Sequence, residues 1–133
     1  MGLKTMSLLA SATVAASGGS ALAFAEDGVS IPNGLHLIVP SDTDFTTRRQ
    51  VTVKYRPSTY DTKTGKFTKD KKTLSLVKPY VNTDGSIVFS VIRVERELYP
   101  LESAANATEM LKLAAQMCVD ADLDSFWATG SLS

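Results

Sequence analysis

The sequence has 133 residues, about one domain's worth, and its 14 Lys+Arg balance 14 Asp+Glu to a formal net charge of zero. With 44% apolar and 21% charged residues it has ordinary globular usage, which excludes wholesale disorder, and no 18-residue apolar run supports a membrane span. One cysteine excludes an internal disulfide framework, and one histidine leaves little for a metal site.

Residues 1–26 read in two ways. Lys4, the apolar stretch Met6–Ala16 and Ala23-Phe24-Ala25 before Glu26 match a secretory signal at 1–25, which would make the chain an exported small β-rich binding domain. Against that, Ser7, Ser11 and Thr13 interrupt the stretch, and Ser17-Gly18-Gly19-Ser20 lies between two apolar-alternating runs, a tight-hairpin pattern. A structural β-hairpin is the preferred reading.

Glu26-Asp27-Gly28 predicts a turn, and Leu35–Val39 a short strand between Pro32-Asn33-Gly34 and Pro40. Residues 48–56 alternate, with Val51, Val53 and Tyr55 on one face and Gln50, Thr52, Lys54 and Arg56 on the other. Pro57 ends that strand, and Ser58–Lys69 reads as a mobile polar connection around Gly65. Thr73–Lys78 is the next strand. Asn82-Thr83-Asp84-Gly85 turns into Ser86–Glu97, the longest, with Val88, Ser90, Ile92 and Val94 on one face and Phe89, Val91, Arg93, Glu95 and Glu97 on the other.

From Pro100 the period changes to that of a helix. Asn106 with Glu109 three residues on predicts a capping box, and Ala107, Leu111, Ala114, Ala115 and Cys118 recur at helical spacing. Asp120 or Asp122 is expected to cap a shorter helix carrying Leu123, Phe126 and Trp127 and stopped by Gly130. Strands first and helices last predict a single α+β domain over 1–133: a hairpin at 1–26, an antiparallel sheet of about five strands at 29–97 and helices at 101–128.

The balanced charge conceals a split. Residues 48–78 hold ten bases against two acids, a net +8, while 1–47 carry −3 and 79–133 carry −5. Local fields, rather than the sum, steer a polyanion to a surface. The lysine-rich 61–72 segment also reads as a plain solvated loop. Thr52, Lys54 and Arg56 on one strand, with Lys71, Thr73, Ser75 and Arg93 beside it, combine cations and hydroxyls in a way suited to unpaired RNA.

The helix over 107–118 is apolar around more than half its circumference, more than one small sheet covers, so a second copy of the chain is expected against it. The long last strand is expected at an exposed edge, where a symmetry mate can pair. Catalysis is not expected. His36 reads as structural, in an apolar strand without a nearby Cys or Asp motif; Cys118 reads as a core cysteine, and Asp120, Asp122 and Asp124 lack the glycine and closing glutamate of a calcium loop. No cofactor, metal or membrane partner is implied.

In length and element order over essentially the whole chain the sequence resembles the coat proteins of single-stranded RNA bacteriophages, the levivirus group. The residues carrying the resemblance are Arg48–Pro57, Lys72–Pro79, Ser86–Tyr99 and the tail Phe126–Ser133. The resemblance implies an interlocked homodimer, each chain's helices packed across its partner's sheet, assembled in the bacterial host cytoplasm into an icosahedral virion shell. It implies a sheet face turned toward genomic RNA, with Thr52, Lys54 and Arg56 on the first RNA-facing strand, Thr73 and Ser75 on the second, and Arg93 and Glu95 on the third; Lys71 adjoins them. The same face in the family binds an RNA hairpin to repress translation and mark the genome for packaging. Leu111, Ala114, Ala115, Cys118 and Val94 are the expected dimer-interface residues, and 80–85 corresponds to the loop at the shell's symmetry axes. A non-capsid RNA-binding repressor dimer is the remaining reading.

Overall fold

The computed structural model describes residues 2–133, in two compact units: residues through Gly19 with Leu101–Ser133, and Ser20–Pro100. The fold is α+β. No helix among the described residues is long and apolar enough to cross a membrane.

The 20–100 unit is built on an antiparallel sheet of five strands: β1 (Ala25–Glu26), β2 (Gly34–Ile38), β3 (Gln50–Arg56), β6 (Asp70–Val81) and β7 (Ile87–Leu98), in that spatial order. Two further short strands, β4 (Tyr60–Asp61) and β5 (Lys66–Phe67), form a separate hairpin inside the segment expected to be an unstructured connection. Thr59 and Thr68 close it, the Thr68 N–H donating to the Thr59 carbonyl at 2.8 Å. β6 and β7 run longer than their apolar alternation suggests, because each supplies the other's backbone partners along twelve residues. The strand expected over Thr73–Lys78 runs on through Pro79, which pairs with Phe89. The turn between them is tight: Asn82 donates its N–H to the Ser86 carbonyl at 2.8 Å, and Gly85 takes φ +87°, a conformation that favours glycine. β7 lies at the edge, as the sequence predicts.

The 1–19 and 101–133 unit holds α1 (Ala104–Val119), a single 3₁₀ turn at Ala121–Leu123 and α2 (Asp124–Thr129). The cap of α1 differs from expectation. Ser103, not Asn106, is the N-cap, its hydroxyl accepting the Asn106 N–H at 3.1 Å, and the helix starts a turn earlier. Asp120 accepts the Asp122 N–H at 2.8 Å to open the second helical segment, and Gly130 stops α2 in the left-handed conformation.

The hairpin expected over 1–26 does not form. Residues 6–24 contain no strand; a 3₁₀ turn occupies Leu3–Thr5, and β1 begins only at Ala25. Backbone groups that a hairpin ladder would have used are instead satisfied by side chains of α1. Gln116 is buried; its amide oxygen accepts the Leu9 N–H at 2.8 Å, while its amide nitrogen donates to the carbonyls of Leu9 at 2.9 Å and Ala12 at 3.2 Å. Glu109 accepts the Ser11 N–H at 2.9 Å. Both ends of the Gln116 amide are hydrogen-bonded, which is how this polar side chain can be buried.

Cys118 is exposed, which corrects its reading as a core cysteine. Gln116 is buried and Glu109, Lys112 and Leu113 half-buried on one side of the helix, while the opposite side, past Ala107 in the first turn, leaves 111/114/115/118 open. His36 has an acid partner that no sequence motif announces. The β1–β2 pairing of Glu26 with Leu37 folds Asp27 back onto the histidine, whose Nδ1 bonds the Asp27 carboxylate and whose Nε2 lies 3.2 Å from Gln50 Oε1. The role remains structural, tying the 27–33 turn to β3.

Candidate nucleic-acid interface

Alternation places Thr52, Lys54 and Arg56 on one face of β3. Register then aligns them with β6 and β7 in three rungs: Thr52–Ser75–Arg93, Lys54–Thr73–Glu95 and Arg56–Lys71–Glu97. All eight RNA-facing candidates therefore share one face. Seven line a concavity of about 580 Å³, together with Pro32, Asn33 and Tyr55; Glu95 lies outside it.

Of the three additional residues, Pro32 and Asn33 lie in the turn that leads into β2, and Tyr55 lies on β3. Gly34 stands opposite Lys54, so that rung carries no side chain on β2 and the concavity stays open there. A Cβ on Gly34 would lie 2.7 Å from the Val53 carbonyl oxygen, so the close approach of the two strands requires glycine. The preceding Asn33 takes φ +52° and accepts the Tyr55 N–H at 2.9 Å. Pro32-Asn33-Gly34 is legible in the sequence as a turn; that it flanks the cationic rungs follows from the β2–β3 register.

Charge within the concavity is unevenly compensated. Glu95 lies 2.5 Å from Lys71 Nζ, so this acid neutralises one base. Lys54, Arg56 and Arg93 have no ion pair within 4 Å among the described residues. The hydroxyls of Thr52, Thr73 and Ser75 lie between these cations on half-buried side chains. Three free cations with interleaved hydroxyls offer an anion charge neutralisation and several hydrogen-bond donors and acceptors at once. No three His, Cys, Asp or Glu side chains converge as a metal site among the described residues.

The opposite face is apolar and open. Val51–Leu76–Ile92 and Val53–Leu74–Val94 are its rungs, and Leu74 is 49%, Ile92 67% and Val94 41% exposed. On α1, Leu111, Ala114, Ala115 and Cys118 form a continuous exposed stripe. Thus each of the five expected interface residues is exposed within its own unit.

The chain is similar to the "Virus-like particle of bacteriophage GQ-907", with a TM-score of 0.90 and 36% sequence identity, over 98% of this chain and 99% of that one. The chain belongs to the RNA bacteriophage coat proteins. No protein-family model and no curated protein matches it. Within this coat-protein fold the cationic rungs and the apolar face are alternate sides of the same three strands.

Proposed function

We propose that this coat protein is the structural subunit of a virion shell. It works as a homodimer that self-assembles around single-stranded RNA, with no catalytic step. The apolar sheet face and the 111/114/115/118 stripe bury each other across two copies, each chain's helix on its partner's sheet, and the β7 edges join the two sheets. The rungs on the polar face turn toward the packaged RNA. There Lys54, Arg56 and Arg93 neutralise phosphates, while Thr52, Thr73 and Ser75 bond sugars, phosphates or base edges of unpaired or looped segments. An RNA hairpin bound on this face represses translation and marks the genome for packaging in the host cytoplasm.

One observation carries the reading: a sheet with free cations on one face exposes large aliphatic side chains on the other. Water is a poor solvent for the second face, so a partner is required there, and the polyanion is then confined to the first. Expression of the full chain in bacteria tests it. Size exclusion and electron microscopy should show uniform shells containing nuclease-protected RNA. Dimers that bind RNA without forming shells, or a soluble species with a new N-terminus near Glu26, would overturn it.

A further inference from the structure

The β4–β5 hairpin carries features that the sheet face does not use. Tyr60 and Phe67 stand directly opposite each other, with ring centroids 4.9 Å apart and planes inclined by 51°. Both rings remain open to solvent, at 54% and 40% exposure, and every residue from Thr59 to Lys69 is exposed. The hairpin is nevertheless held in shape. Gly65, at φ +68°, donates its N–H to the Asp61 carbonyl at 2.8 Å, and Thr59 donates its N–H to the Thr68 hydroxyl at 2.8 Å.

Its charge is one-sided. Lys63, Lys66 and Lys69 face a single acid between residues 57 and 69, Asp61. One Asp61 carboxylate oxygen accepts the Lys63 backbone N–H at 2.9 Å, and none of the three lysines has an ion pair within 4 Å among the described residues. A shaped hairpin that presents an aromatic pair amid uncompensated ammonium groups matches a ligand having flat apolar faces and regularly spaced negative charge. Unpaired nucleic acid has both, and aromatic stacking on it tolerates any base.

We propose that residues 59–69 form a second RNA contact, a sequence-tolerant stacking finger for single-stranded RNA that is separate from the concavity on the sheet. The inference takes its RNA partner from the function proposed above and adds a site to it. Tyr60 or Phe67 receives a base on its open face, while Lys63, Lys66 and Lys69 meet the flanking phosphates.

The test uses the full chain and a labelled twelve-nucleotide oligouridylate, which has no stable hairpin, with fluorescence anisotropy read across a salt series. Y60L/F67L keeps an apolar cross-strand pair but removes the rings, and should weaken binding about tenfold. K63Q/K66Q/K69Q should reduce the slope of log affinity against log salt by about 2, at roughly 0.7 per phosphate contact. Retained hydrogen-exchange protection at the Thr68 amide shows that each variant keeps the hairpin. Wild-type affinity in both variants, with binding lost only in K54A/R56A, overturns the finger and leaves the sheet reading standing. A loss confined to the lysine variant also overturns it, because a purely electrostatic contact needs no rings. Absence of binding by the wild type removes the RNA-facing reading itself, and the finger with it.

Discussion

Thr52, Ser75 and Arg93 form a rung on one face of the sheet; one residue earlier on each strand lie Val51, Leu74 and Ile92, on the other face. The two faces share a backbone and differ in their relation to water. The hydroxyl-bearing Thr73 and Ser75 are half-buried, while Leu74, Leu76, Ile92 and Val94 are exposed. In an isolated globular domain the order is reversed. The polar face shelters its hydroxyls among its own longer side chains, whereas the aliphatic side chains of the other face are left open to water. At about 25 cal/mol per Å² of apolar area removed from water, covering several such side chains supplies a strong drive for association.

Breaking the apolar face should have the largest effect. Ile92→Asp with Val94→Asp places two carboxylates where the proposed partner helix would bury them, each costing at least about 3 kcal/mol without compensation. Dimers and shells should both disappear in light scattering after size exclusion; particles of normal size would show that another surface drives assembly. On the polar face, Lys54→Ala with Arg56→Ala should leave dimers intact while reducing packaged RNA severalfold, and the salt slope of single-strand binding should fall by about 1.4. Equal RNA content in mutant and parent particles would detach RNA from these rungs.

Two smaller tests ask how well each unit is held together apart from its faces. Gln116→Leu removes three hydrogen bonds to residues 9–12 and takes the partner from the Leu9 N–H and the Ala12 carbonyl, which should cost about 1–3 kcal/mol in thermal or denaturant unfolding. Hydrogen exchange should accelerate at Leu9, and an unchanged rate would assign that segment's order to something else. Asp42 is bound by Arg49 through Nε at 2.8 Å, the terminal guanidinium nitrogen at 3.0 Å and the backbone N–H at 3.1 Å. These bonds, the side-chain pair foremost, hold the carboxyl far below its ordinary range. A depressed carboxylate stabilises the fold above its unfolded pKa and loses that contribution as pH falls through the folded value. Acid titration from pH 5 downward should therefore destabilise the parent more than Asp42→Asn, with little salt dependence lost from either face. Parallel acid profiles would remove this pair from the account.

Period 2 in residues 50–56 and 87–98 was enough to assign each side chain to a face, and the shift to helical spacing after Pro100 located α1. The RNA-facing candidates were legible for that reason: they alternate with the aliphatic residues. Less was legible wherever a polar group found its partner far along the chain. Gln116 lies within an apolar helical pattern and gives no local sign that it binds Leu9 and Ala12, so the glycine pair at 18–19 suggested a hairpin where the structure has none. Asp27 and His36, nine residues apart, meet through a strand pairing rather than a motif. Ser58–Lys69 reads as a mobile polar connection because two-residue strands are too short to establish a period.

The sequence by itself determined the two-sidedness of this protein: basic middle, acidic end, and strands whose alternate residues oppose polar to apolar. Only the tertiary structure decided which residues share a rung, that Glu95 neutralises Lys71 while Lys54, Arg56 and Arg93 stay free, and that the aliphatic face is left open to solvent. Side-chain direction along a strand is fixed by local backbone stereochemistry, which each residue carries with it. Register, ion pairing and exposure depend on segments that lie apart in the sequence, and these are set only when the strands meet.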